Sequence, residues 1–91
     1  MSDFVIHACE QVLRFTTIDK WGSLSEERKQ QLSFNMGVVA LGLNLTKEES
    51  FQPLIDACQE KMSTKELHKH FRRLFTLHKI TVDEDNVTKP F

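Results

Sequence analysis

Four histidines and two cysteines are the side chains with most chemistry to offer in this 91-residue chain. A structural zinc site would draw on paired ligands such as Cys-x-x-Cys. That spacing is absent here. His68 and His70 stand two apart, as do His7 and Cys9, and on a helix a two-residue step sends side chains to different sides. A thiol nucleophile would need Cys9 or Cys58 beside a histidine in an electropositive, partly open place. Both cysteines fall instead on apolar helical stripes, the pattern of buried structural thiols. The acidic pairs Glu26-Glu27 and Glu48-Glu49 fall in first helical turns, where carboxylates complement the helix dipole. Three isolated glycines leave no phosphate-cradling loop. We therefore expect no enzyme, no metal and no other cofactor.

Charge is the next resource. The net charge is −1, which argues against a dedicated polyanion binder. The distribution is uneven, however. Residues 1–60 carry five basic and nine acidic side chains, whereas residues 61–79 carry six basic and one acidic. Lys61, Lys65, Lys69, Arg72, Arg73 and Lys79, with His68 alongside, form a basic face able to track phosphates. The segment around Lys61-Met62-Ser63 resembles a helix-turn-helix in outline, but its turn lacks glycine and the usual small-residue and apolar spacing. A solvated face, partly answering acids elsewhere in the chain, is the simpler expectation. His78 falls at the end of the same helix, where the dipole favours a charged imidazole and burial opposes it.

Helical periodicity must place these groups. Ser2 caps a first helix over Asp3–Thr16, with Val5, Ala8, Cys9, Val12 and Leu13 on one face and His7, Glu10 and Arg14 opposite. A capping box of Ser23 with Glu26 opens the second helix, although Ser25 is placed to cap instead. That helix is expected to reach Leu41 and stop on Gly42 in the left-handed conformation. It carries two apolar flanks, Leu32, Met36, Val39 and Ala40 on one and Phe34, Val38 and Leu41 on the other. A surface helix needs one, so either the other helices cover both flanks and this is the central helix of the bundle, or one flank is a docking surface. Gly37 inside it implies close approach of another helix, since an exposed mid-helix glycine costs about 1 kcal/mol against alanine.

A second box, Thr46 with Glu49, opens either a third helix whose first turn is kinked at Pro53 or a short turn at 47–51 followed by a helix from Ser50, which places Pro53 harmlessly in its first turn. Its stripe is Phe51, Leu54, Ile55, Cys58 and Met62. Ser63 with Glu66 opens the fourth, from Thr64 to about His78, burying Leu67, Phe71, Leu74 and Phe75 with Leu77 at the edge. Beyond Lys79, β-branched and turn-like residues followed by Pro90 read as an extended tail, packed back through Ile80 and Val82.

The expected fold is all-α, a small bundle of four main helices with short connections, formed by residues 1–79, with 80–91 as the tail packed on it or trailing from it. Apolar residues at 40% and charged residues at 27% suit a globular chain. No apolar run approaches the length of a membrane span. The first residues lack the basic and apolar regions of a secretory leader, and two cysteines make no disulfide framework, so a cytoplasmic protein is expected. The expected function is binding without catalysis. The chain would act as a regulator or inhibitor that docks on another protein or a second copy of itself through Trp21, Phe34, Val38 and Leu41. The alternative is binding of DNA or RNA through the basic face. Neither a membrane nor a small-molecule substrate is expected as a partner.

Overall fold

A computed structural model describes residues 2–17 and 24–90. Trp21 and Ser23 lie outside the described residues. Five helices are present among the rest: α1 (Asp3–Phe15), α2 (Glu26–Leu43), α3 (Phe51–Cys58), α4 (Thr64–Leu77) and α5 (Glu84–Thr88). No strand is present among the described residues, and the architecture is the expected all-α bundle. No helix among them is long and apolar enough to cross a membrane.

The helix starts follow the caps. Ser2, Ser25 and Ser63 each sit in extended backbone and accept from an amide three residues on: Val5, Arg28 and Glu66, respectively. Each satisfies one of the amides that a helix N-terminus leaves without a partner. The Thr46–Glu49 box also forms. The Thr46 amide donates to Glu49 Oε1 at 3.0 Å and the Glu49 amide donates to Thr46 Oγ1 at 3.2 Å. Ser50 precedes α3 but does not cap it with its side chain. Its hydroxyl donates back to the Thr46 carbonyl at 2.7 Å, so the 47–50 turn runs directly into α3.

The helix ends differ from expectation. Gly42 does not stop α2, which continues through Leu43 to Asn44 at φ 54°. Gly42 lies where α1 passes close by, and a Cβ there would come within 2.7 Å of Val5 Cγ2. The close helix approach assigned to Gly37 therefore belongs to Gly42, since nothing lies within 4 Å of a Cβ built at Gly37. The third and fourth helices stop the same way, at Glu60 and Lys79, both at φ 60°. The following amides close back to carbonyls of the last turn, Lys61 to Asp56 at 2.8 Å and Ile80 to Phe75 at 2.9 Å. These bonds and the burial of Ile80 offset the steric cost of a left-handed non-glycine residue.

The core is built on α1, which packs against α2, α4 and α5, while α3 packs on α4. Phe15, Phe71 and Phe75 fill the centre with Leu13, Leu32, Met36 and Leu67 around them. The Phe71 and Phe75 rings stack at 5.9 Å. On α2 the buried flank is Leu32, Met36, Val39 and Leu43, so α2 is not the central helix of the bundle.

Several side chains depart from their expected places. Cys58 is exposed rather than buried, and Ile55 beside it is partly bare. The eight-residue α3 turns Pro53, Leu54 and Ala57 inward instead. Leu77 is exposed. The tail also forms a helical turn of its own, α5. Its N-cap Asp83 accepts from the Asp85 amide at 3.0 Å, and Val87 is fully buried against the core.

Candidate functional site

The outer side of α2 carries the expected docking residues. At about 100° per residue, Phe34, Val38 and Leu41 lie within some 60° of one another on one line. Phe34 is 66% exposed and Leu41 87% exposed, while Val38 is partly covered by the core. Between Gln30 and Leu43 this helix has no charged residue. Its charges, Glu26, Glu27, Arg28 and Lys29, are gathered in the first turn. Away from this line, an apolar groove of about 280 Å³ lies between α2 and α3, floored by Leu32, Phe51 and Leu54 with Ile55 and Cys58 at its side. Trp21, the other expected docking residue, falls outside the described residues. Phe4 on α1 is a further exposed aromatic. It was missed because it precedes the repeating stripe of its helix.

The basic face divides in two. Lys65, Lys69 and Arg73 follow each other at four-residue steps along α4 and are all exposed, as are Lys61 and Lys79 beyond its ends. None of the five pairs with a carboxylate among the described residues. Arg72 is different. Its guanidinium reaches both oxygens of Glu84 on α5, at 2.9 and 2.7 Å. Its Nε donates to His68 Nε2 at 3.0 Å. Arg72 is thus spent within the fold, and the face available to a ligand is smaller than the sequence suggests.

His68 sits at the junction of three helices. Its Nδ1 lies 2.9 Å from Oγ1 of Thr16, the residue that ends α1, and an open pocket of about 590 Å³ borders it, with Lys65 and Lys69 on the wall. Burial and the Arg72 charge beside it hold the imidazole below its ordinary pKa. Hydrogen bonding to Arg72 likewise lowers Glu84, and hydrogen bonds from Thr46 lower Glu49. His70 turns the other way, with Nε2 2.9 Å from the Glu49 carbonyl, as their two-residue separation requires.

Glu10, expected on the solvent side of α1, is buried. Its carboxylate accepts from the Asp83 amide at 2.7 Å and from Asn86 Nδ2 at 3.1 Å. Arg14, expected outside as well, donates from Nε to the Lys89 carbonyl at 2.8 Å and from Nη2 to that of Pro90. Residues 83–90 are therefore tied to α1 by two of the three side chains expected to face outward, Glu10 and Arg14. Cys9, fully buried, is an inert thiol. Burial and the neighbouring Glu10 push it from 9.0 up to about 12.

Among the described residues, no three His, Cys, Asp or Glu side chains come together in a way that would hold a metal ion. No protein-family model matches the chain, and no curated protein or solved structure is detectably similar to it.

Proposed function

We propose that this chain works without catalysis, as a docking module that seats the outer face of α2 on another protein and thereby regulates or inhibits it. The observation behind this reading is the bare Phe34–Val38–Leu41 line on a helix whose opposite flank is already used by the core. Anchors at i, i+4 and i+7 are what a helix presents to an apolar groove. The partner this face fits has such a groove, about one helix wide and uncharged, because α2 offers no charge beyond its first turn. An apolar aromatic anchor at the centre of such a contact carries a large share of its binding energy. A cytoplasmic setting suits the reading, with Cys9 kept as a buried thiol.

The test is the double substitution Phe34→Glu, Leu41→Glu. Both side chains are exposed, so the folded state should keep its helicity and its stability within about 0.5 kcal/mol. Partners captured by the wild-type chain should be lost by the variant. Capture that is unchanged in the folded variant removes this face from consideration. Light scattering on the same pair identifies a second copy as the occupant if the wild type is dimeric and the variant monomeric.

The exposed row Lys65–Lys69–Arg73 supports a second reading, binding to nucleic-acid phosphates. It predicts an electrophoretic shift that weakens steeply as salt is raised. No shift at low salt eliminates it.

A further inference from the structure

We propose that His68 is a proton-sensitive latch: its neutral ring seats Arg72 against Glu84 and so holds α5 to α4, and protonation at Nε2 unseats the guanidinium. The geometry fixes the protonation state the latch requires. Arginine is always charged and its Nε carries a hydrogen, so the 3.0 Å contact makes His68 Nε2 the acceptor. The proton of the neutral ring is therefore on Nδ1, which donates to Thr16 Oγ1 at 2.9 Å. The Thr16 hydroxyl passes its own hydrogen to the Val12 or Leu13 carbonyl, each at 3.1 Å. A second proton on the ring would put two N–H groups face to face and place an imidazolium beside a guanidinium.

Each surrounding element contributes to the balance. From α4, Arg72 touches the ring and Lys65 and Lys69 line the open pocket beside it. All three oppose a positive ring. From the end of α1 come only neutral groups, the Thr16 hydroxyl and the Leu13 carbonyl. From α5, Glu84 favours the charged ring, but it already faces Arg72 on both oxygens and is half exposed. The open pocket gives solvent protons access.

Burial and Arg72 lower the folded pKa below the ordinary 6.5. The latch contribution is then whole above pH 6.5 and is lost as pH falls from 6.5 through the lower folded value. Glu84 titrates below 4.5, so the window from pH 6.5 to about 5 belongs to the histidine.

Two measurements on the whole chain test the proposal. In the wild type, imidazole ¹⁵N shifts should show the Nδ1–H form at neutral pH and a midpoint below 6.5. An Nε2–H ring, or a midpoint at or above 6.5, would overturn it. Hydrogen exchange should then show the α5 amides of Val87 and Thr88 losing protection, after correction for intrinsic rates, between pH 6.5 and 5. In the His68→Gln variant, whose side chain can accept from Arg72 and donate to Thr16 without titrating, that loss should vanish. Equal loss in both proteins would refute the latch.

Discussion

A carboxylate at position 10 becomes buried in this fold because α5 brings two donors to it. Glu10 is 5% exposed, yet both its oxygens are partnered, one by a backbone amide and one by Asn86. Buried polar groups persist only when they are satisfied in this way. Truncating Glu10→Ala strands those two donors, and we expect a loss of about 1–3 kcal/mol in denaturant unfolding. Glu10→Gln keeps a single acceptor oxygen and should fall between the alanine variant and the wild type. Helical periodicity put Glu10 outside for a plain reason: it places a residue relative to one apolar stripe and says nothing of a second partner arriving from residue 83 onward. Cys58 failed in the opposite sense. Its stripe was drawn through Ile55 and Cys58, but the short α3 packs through Pro53, Leu54 and Ala57, which leaves the thiol outside.

Helix α2 shows how two glycines of equal sequence status take opposite roles. Gly37 lies on the open side with nothing near a built Cβ, whereas a Cβ at Gly42 would meet both Val5 methyls, at 2.7 and 2.8 Å. Gly37→Ala should therefore stabilise the protein by about 0.5–1 kcal/mol through helix propensity and reduced chain entropy. In Gly42→Ala the same gain is opposed by overpacking against a stiff β-branched side chain, which costs about 1–3 kcal/mol. We expect the latter variant to melt lower than wild type. Paired thermal melts check both signs, and a Gly42→Ala protein as stable as Gly37→Ala would contradict the close approach of α1. The starts of α1 and α4 were legible because the caps Ser2 and Ser63 act locally on the next turn, whereas Ser50 makes no side-chain cap for α3 and the start of α5 at Asp83 reads from sequence as extended tail. Stops were less so. Asn44, Glu60 and Lys79 adopt positive φ through bonds to the preceding turn, an outcome that residue type alone does not announce.

For the molecule as a whole, residues 80–90 are part of the packed body. Val87 has no exposure, and the radius of gyration of 11.9 Å matches the roughly 12 Å expected for a fully compact chain of this length. Three groups of this body respond to acid in the same direction. His68, Glu84 and Glu49 all have folded pKa values below their ordinary ones. For the histidine, stability declines as pH drops from 6.5; for the two carboxylates, it declines further as pH drops from 4.5 through their folded values. Chemical denaturation from pH 7 to 3 should thus show a fall in stability beginning at pH 6.5 that the His68→Gln variant lacks until the carboxylate range is reached. Equal pH dependence of wild type and His68→Gln between pH 6.5 and 5 would contradict the histidine assignment. The docking proposal also belongs to the whole molecule, since only the packing of α1 against α2 reveals which flank of α2 is spare.

Local chemistry was readable from the chain alone: serine caps, the amphipathic faces of α1 and α4, the harmless place of Pro53, and the double-sided character of α2. These rest on interactions within a few residues, where spacing and side-chain type are sufficient. Long-range partnership was not readable. That Arg72 is spent on Glu84 and His68, that Glu10 and Arg14 tie down the last residues, and that Phe34 and Leu41 stay bare all depend on elements meeting across the fold. Periodicity along one helix carries no information about which neighbour arrives, or where its polar groups point.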